Sequence, residues 1–197
     1  MIFKKREYLR PRISVLQKEE GQINWLIGLF MILFLGVLLC AQLQTEVYRM
    51  SSVYLEDSLA AFNLASAIIG VEEYGISHKL IIKDFEEAYG QYLMALQGNL
   101  NLNEQWEAVN KALITDQVTV ENYIVYNVVE DVVQVYGIDE SGNMWEEISV
   151  LGQVTAPNGQ VIESTSVYSE ISYHTKGMLG MEILAQKGKL VDVVLAE

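Results

Sequence analysis

The chain has 197 residues, 51% of them hydrophobic, with 26 acidic against 13 basic side chains and a net charge of −13. Such an acidic chain is a poor ligand for nucleic acid. Its single cysteine, Cys40, excludes an intramolecular disulfide, so any folded domain must be held by its hydrophobic core.

Charge is divided along the sequence. Residues 1–21 carry a net +3 and residues 42–197 a net −16. Residues 1–22 form a short basic leader (Lys4, Lys5, Arg6, Arg10, Arg12). Pro11 biases its predecessor towards extended conformations, which predicts no regular helix there.

Residues 23–41, INWLIGLFMILFLGVLLCA, hold no charge and no proline, and twelve of the nineteen are Leu, Ile, Phe or Val. As a helix they span roughly 28 Å, close to the ~30 Å hydrocarbon core of a bilayer. Insertion is favoured by something on the order of 5 kcal/mol. The expectation is a membrane-spanning helix, with lipid as its immediate partner. The basic flank stays in the cytoplasm, which places the acidic remainder outside. Gly36 and Cys40 are small residues four apart that permit close helix approach.

Residues 42–69 contain neither Gly nor Pro, which predicts that the helix continues. Val47, Met50, Tyr54, Ser58, Phe62, Ala65 and Ile69 recur at three- and four-residue steps and form the expected packing stripe, with Gly70 as terminator. A helix over 23–69 would run ~70 Å, of which ~42 Å lies beyond the bilayer. Residues 70–197 read as one α+β domain. A second helix is expected over 77–97, with Phe85, Tyr89, Tyr92, Leu93 and Leu96 on one face. A third, capped by Asn103, is expected through about Leu113.

From Thr115 the pattern changes to β-branched and aromatic residues in alternation. Strands are expected near 118–128, 130–138, 145–155 and 160–163, then over 166–174 and 190–195. Turns are expected at 139–143, at Pro157-Asn158-Gly159 and at Lys187-Gly188-Lys189. Helices first and strands afterwards suit an antiparallel sheet covered by helices.

Catalytic signals are sparse. His78 and His174 are the only histidines, no cysteine lies beyond the apolar run, and there is neither a Gly-x-Ser-x-Gly elbow nor a Gly-rich phosphate loop. Acidic dipeptides such as Glu146-Glu147 diverge on a strand or helix, and 139–143 lacks the ligand spacing of a calcium loop. No catalytic residue, cofactor or metal is expected.

Three features taken together, a leader ending in Gly21, an apolar helix and the run YLEDSLAAFNLASA at 54–67, carry a resemblance. They are similar to pilin-like proteins, and more narrowly to the TadE-like minor pseudopilins of the tight-adherence (Flp) pilus machinery. The likeness covers about a quarter of the chain. It implies a non-enzymatic single-pass component of a cell-surface pilus or secretion assembly. Its partners would be pilin-like or pilus-assembly membrane subunits, or a second copy. It also implies processing after Gly21, leaving Gln22 as the mature N-terminus. Leu26 stands where pilins carry Glu at the fifth mature position. The alternative is a membrane-anchored ligand-binding or sensory domain with a pocket lined by some of the eleven tyrosines. A surface-anchored hydrolase using His78 or His174 is a third class.

Overall fold

A computed structural model describes residues 10–68, 74–75, 79–139, 141–177 and 180–194, the first thirteen of these as backbone. Ile69, Gly70, Ser77, His78 and Leu195 fall outside the described residues. The chain forms two compact units, Met1–Val47 and Tyr48–Glu197.

Helix α1 spans Arg10–Ser66, 57 residues. It therefore takes in part of the leader, contrary to the break expected at Pro11. In the first turn of a helix the missing N–H of proline has no intrahelical partner to lose, and its fixed φ suits the helix. The described part of the first unit is the early turns of α1.

In the second unit, the later turns of α1 and helix α2 (Phe85–Asn99) cover one face of a five-stranded antiparallel sheet. The strands are β1 (Val118–Val129), β2 (Val132–Asp139), β3 (Met144–Val150), β4 (Ser166–Lys176) and β5 (Glu182–Asp192), in the order β3-β2-β1-β4-β5. This is the expected α+β class, with differences in the helices. α2 starts at Phe85, later than the periodicity suggested. Asp84 caps it, its carboxylate accepting from the Glu87 amide at 2.9 Å. The residues just before are extended and tied to the sheet. The Asn127 side chain clamps both backbone groups of Ile82, accepting from its N–H at 2.9 Å and donating to its C=O at 2.8 Å. Thr165 donates to the Leu80 carbonyl at 2.7 Å.

The third helix does not form. Asn103 does act as a cap, accepting from the amides of Gln105 and Glu107. Trp106 then takes a left-handed φ of 62°, which ends any helical path. Short bridges Leu102↔Ala108 and Glu107↔Gln117 satisfy the backbone instead.

Strand β1 shows how register is kept. Val118 and Val120 face the helices, and so do Tyr123 and Val125, although the two pairs have opposite parity. A register shift between Val120 and Asn122 absorbs the extra residue. Tyr123 is the hub of the core, with ring centroids of Phe85, Tyr89 and Tyr92 at 5.7, 5.2 and 4.9 Å.

A smaller cluster on the opposite face, with Ile124, Tyr126, Val135 and Tyr168, is covered by residues of the 151–162 segment. That segment carries the Asn158-Gly159 turn as expected, Gly159 at φ 85°. The strand expected over 145–155 forms as β3 and ends at Val150, and the one expected over 160–163 is reduced to the single bridge Thr155↔Val161. The expected turn at Lys187-Gly188-Lys189 is straight: β5 runs through it. Gly188 lies under the Tyr168 side chain, where a Cβ would collide with the ring and hydroxyl.

Candidate functional site

The apolar stretch of α1 is bare among the described residues. Every residue from Ile23 to Cys40 is exposed, Phe30 at 74%. A soluble surface does not sustain a contiguous apolar patch of that length. Among the described residues α1 is the one helix long and apolar enough to cross a membrane. A helix satisfies its own backbone, which hydrocarbon demands. Thr45, just beyond, returns its hydroxyl to the Ala41 carbonyl at 2.9 Å. Gly36 and Cys40 lie on this exposed surface, and a Cβ on Gly36 would meet open space. Gly21 and Gln22 lie inside the helical backbone of α1.

The later turns of α1 bury a different face from the expected stripe. Leu55, Leu59, Phe62, Asn63 and Ser66 are buried. Of the described members of the expected stripe, Phe62 is buried and Ser58 half-buried, whereas Val47, Met50, Tyr54 and Ala65 are exposed within this chain. The signal for the face buried within this chain was the Leu55, Leu59, Phe62 spacing. It was obscured because its last members are polar.

Those polar members attach α1 to the sheet. The Asn63 amide donates to the carbonyls of Lys189 at 2.8 Å and Val167 at 3.3 Å. Ser66 accepts from the Tyr123 hydroxyl at 2.9 Å and donates to the Asn63 carbonyl at 2.8 Å. At the rim, Glu56 pairs with Lys189 at 2.8 Å and Lys187 at 3.0 Å. Hydrogen bonds from Lys189 and then Lys187 hold the Glu56 carboxyl down to about 2.

No arrangement of catalytic groups emerges among the described residues. His174 contributes its carbonyl, which accepts from the Thr115 amide at 2.8 Å. The Asp139 carboxylate is committed to its turn, accepting from the amides of Ser141 and Asn143 at 2.9 Å each. The Asn143 backbone bond, against a modest burial effect, keeps its pKa below the usual range. The described residues contain no group of three His, Cys, Asp or Glu side chains placed to hold a metal. Tyr92 and Tyr123 are buried in the core, and burial raises their pKa.

The two edges of the sheet differ. β5 is held by α1 through Asn63 and Glu56. β3 is exposed at six of its seven residues, Met144, Trp145, Ile148 and Val150 included.

Comparison of the chain with protein-family models, with curated proteins and with solved structures gave no match.

Proposed function

We propose that this is a non-enzymatic, single-pass membrane protein that works as a pseudopilin-like component of a cell-surface pilus or secretion assembly. Its N-terminus is cytoplasmic and its acidic α+β domain extracytoplasmic. The reading rests on one observation above all. α1 carries a bare apolar stretch of membrane length and continues through Val47, Met50 and Tyr54, apolar or aromatic residues left exposed by their own chain. In this reading those residues, with Gly36 and Cys40, meet neighbouring helices. The +3 leader and −16 remainder support the orientation.

Cysteine cross-linking in native membranes tests the reading. Met50→Cys is expected to give a cross-linked product with a pilin-like subunit or with a second copy. Met94→Cys, exposed on α2, serves as the control outside the proposed contact. Failure of Met50→Cys to cross-link any membrane protein would overturn the assembly role. Intact mass of the membrane-extracted protein reads the cleavage separately: loss of residues 1–21 marks processing between Gly21 and Gln22.

A further inference from the structure

The outer edge of β3 is long and regular, and no described residue pairs with it. Two hydrogen bonds flanking the strand set its phase: Asp139 N–H to the Asn143 carbonyl and Leu151 N–H to the Asp131 carbonyl. With the pairing Val135↔Glu147, the residues bonded to β2 are Trp145, Glu147 and Ser149. Met144, Glu146, Ile148 and Val150 therefore turn their N–H and C=O groups away from the sheet. Natural edge strands are usually blunted by charged side chains, Lys above all, by Pro or by a bulge. β3 has no Lys, Pro or bulge, its only charges are Glu146 and Glu147, and its ladder with β2 runs without a register break.

We propose that β3 is a docking edge for an extended segment of a partner protein, one that alternates basic with apolar side chains and adds a strand to the sheet. Strand addition supplies main-chain bonds, and side chains on either face supply selectivity. Selection for a basic partner comes from the exposed Glu147, on the face opposite Met144, Ile148 and Val150. Apolar matching comes from Ile148, 67% exposed, and from Met144 and Val150.

A second copy of β3 fits the edge poorly. Full-length antiparallel self-pairing centres on residue 147 and sets the two Glu147 carboxylates directly opposite each other, where like charges repel. The inference names a contact surface for the assembly role proposed above. Helix-mediated assembly would survive its failure, because the cross-linking at Met50 does not involve β3.

The test uses the full-length protein in detergent micelles with three short synthetic peptides. One alternates Lys and Val. The second has Glu in place of Lys. The third keeps the Lys–Val sequence but is N-methylated at alternate residues, so that it has the same charge without the ladder donors. Hydrogen exchange should show the amides of Met144, Glu146, Ile148 and Val150 protected by about tenfold with the first peptide alone. Ile148→Pro removes one outward donor and leaves the β2 ladder intact, and should weaken binding by about tenfold. Glu147→Lys should transfer the preference to the acidic peptide. Equal binding by the N-methylated peptide would reduce the effect to bulk charge and overturn the proposal. So would protection that maps elsewhere, no protection by any peptide, or concentration-dependent protection of β3 without peptide, which would indicate self-pairing.

Discussion

Two stretches of the same helix have opposite relations to their surroundings. Residues 23–40 are apolar on nearly every face, and all of them are exposed. From Leu55 to Ser66 the helix is mixed in composition, yet buries Leu55, Leu59 and Phe62 completely or nearly so. The more hydrophobic stretch is the one its own chain does not cover. Burial in a folded domain needs only one apolar stripe and rewards a few well-placed polar groups, here Asn63 and Ser66. A bilayer offers no hydrogen-bond partners and surrounds every face, so it selects a helix that is apolar all round. Composition alone would rank the two stretches in the wrong order as candidates for the protein core.

That contrast can be broken most sharply with one substitution in each stretch. Phe62→Ala should lower the unfolding free energy of the domain by about 3–5 kcal/mol, because it leaves a cavity between α1 and the sheet. Phe30→Ala should leave that unfolding unchanged. Denaturation of the full-length protein in micelles, followed by near-ultraviolet circular dichroism, reads both. An equal loss from the two would mean that the apolar stretch packs on the domain after all.

The polar part of the buried face predicts a smaller loss. Asn63→Ala removes donors to the Lys189 and Val167 carbonyls and should cost about 1–3 kcal/mol. Hydrogen exchange should show the effect concentrated in β4 and β5, while β2 and β3 keep their protection.

Glu56 gives the smallest effect, and it depends on pH. Its folded pKa of about 2 lies below the ordinary 4.5. Its contribution is therefore complete above about pH 4.5 and lost as the pH falls towards 2. The carboxylate is 37% exposed, and solvent screening limits the interaction to under about 1 kcal/mol. The wild-type protein should be slightly more stable than Glu56→Gln at pH 7. The gap should close in acid. A gap that persists at pH 2 would assign the stabilisation to something other than the ion pairs.

Much of the sheet was legible from its β-branched and aromatic alternation, although Ser166–Lys176, inside the sheet, is buried on both faces, its serines included. The misread segments depend on partners distant in sequence. Lys187-Gly188-Lys189 has turn composition, but Glu56 draws both lysines onto α1 and the Tyr168 side chain covers the glycine. Residues 103–113 have helical periodicity, but Trp106 and the bridge to Gln117 take the chain elsewhere. The expected stripe on α1 followed apolar spacing, whereas the buried face includes Asn63 and Ser66, whose partners are on β1, β4 and β5.

By itself, then, the sequence determined the apolar helix, the charge division on either side of it and the α+β order. These follow from composition and short-range periodicity, which local physics is enough to interpret. Tertiary structure decided which face of α1 is buried, that a register shift near Glu121 keeps one side of β1 apolar, and that β3 is left with an unpaired edge. Each of these depends on hydrogen bonds and packing between residues tens of positions apart. The free energy of such contacts exists only once the chain has brought them together.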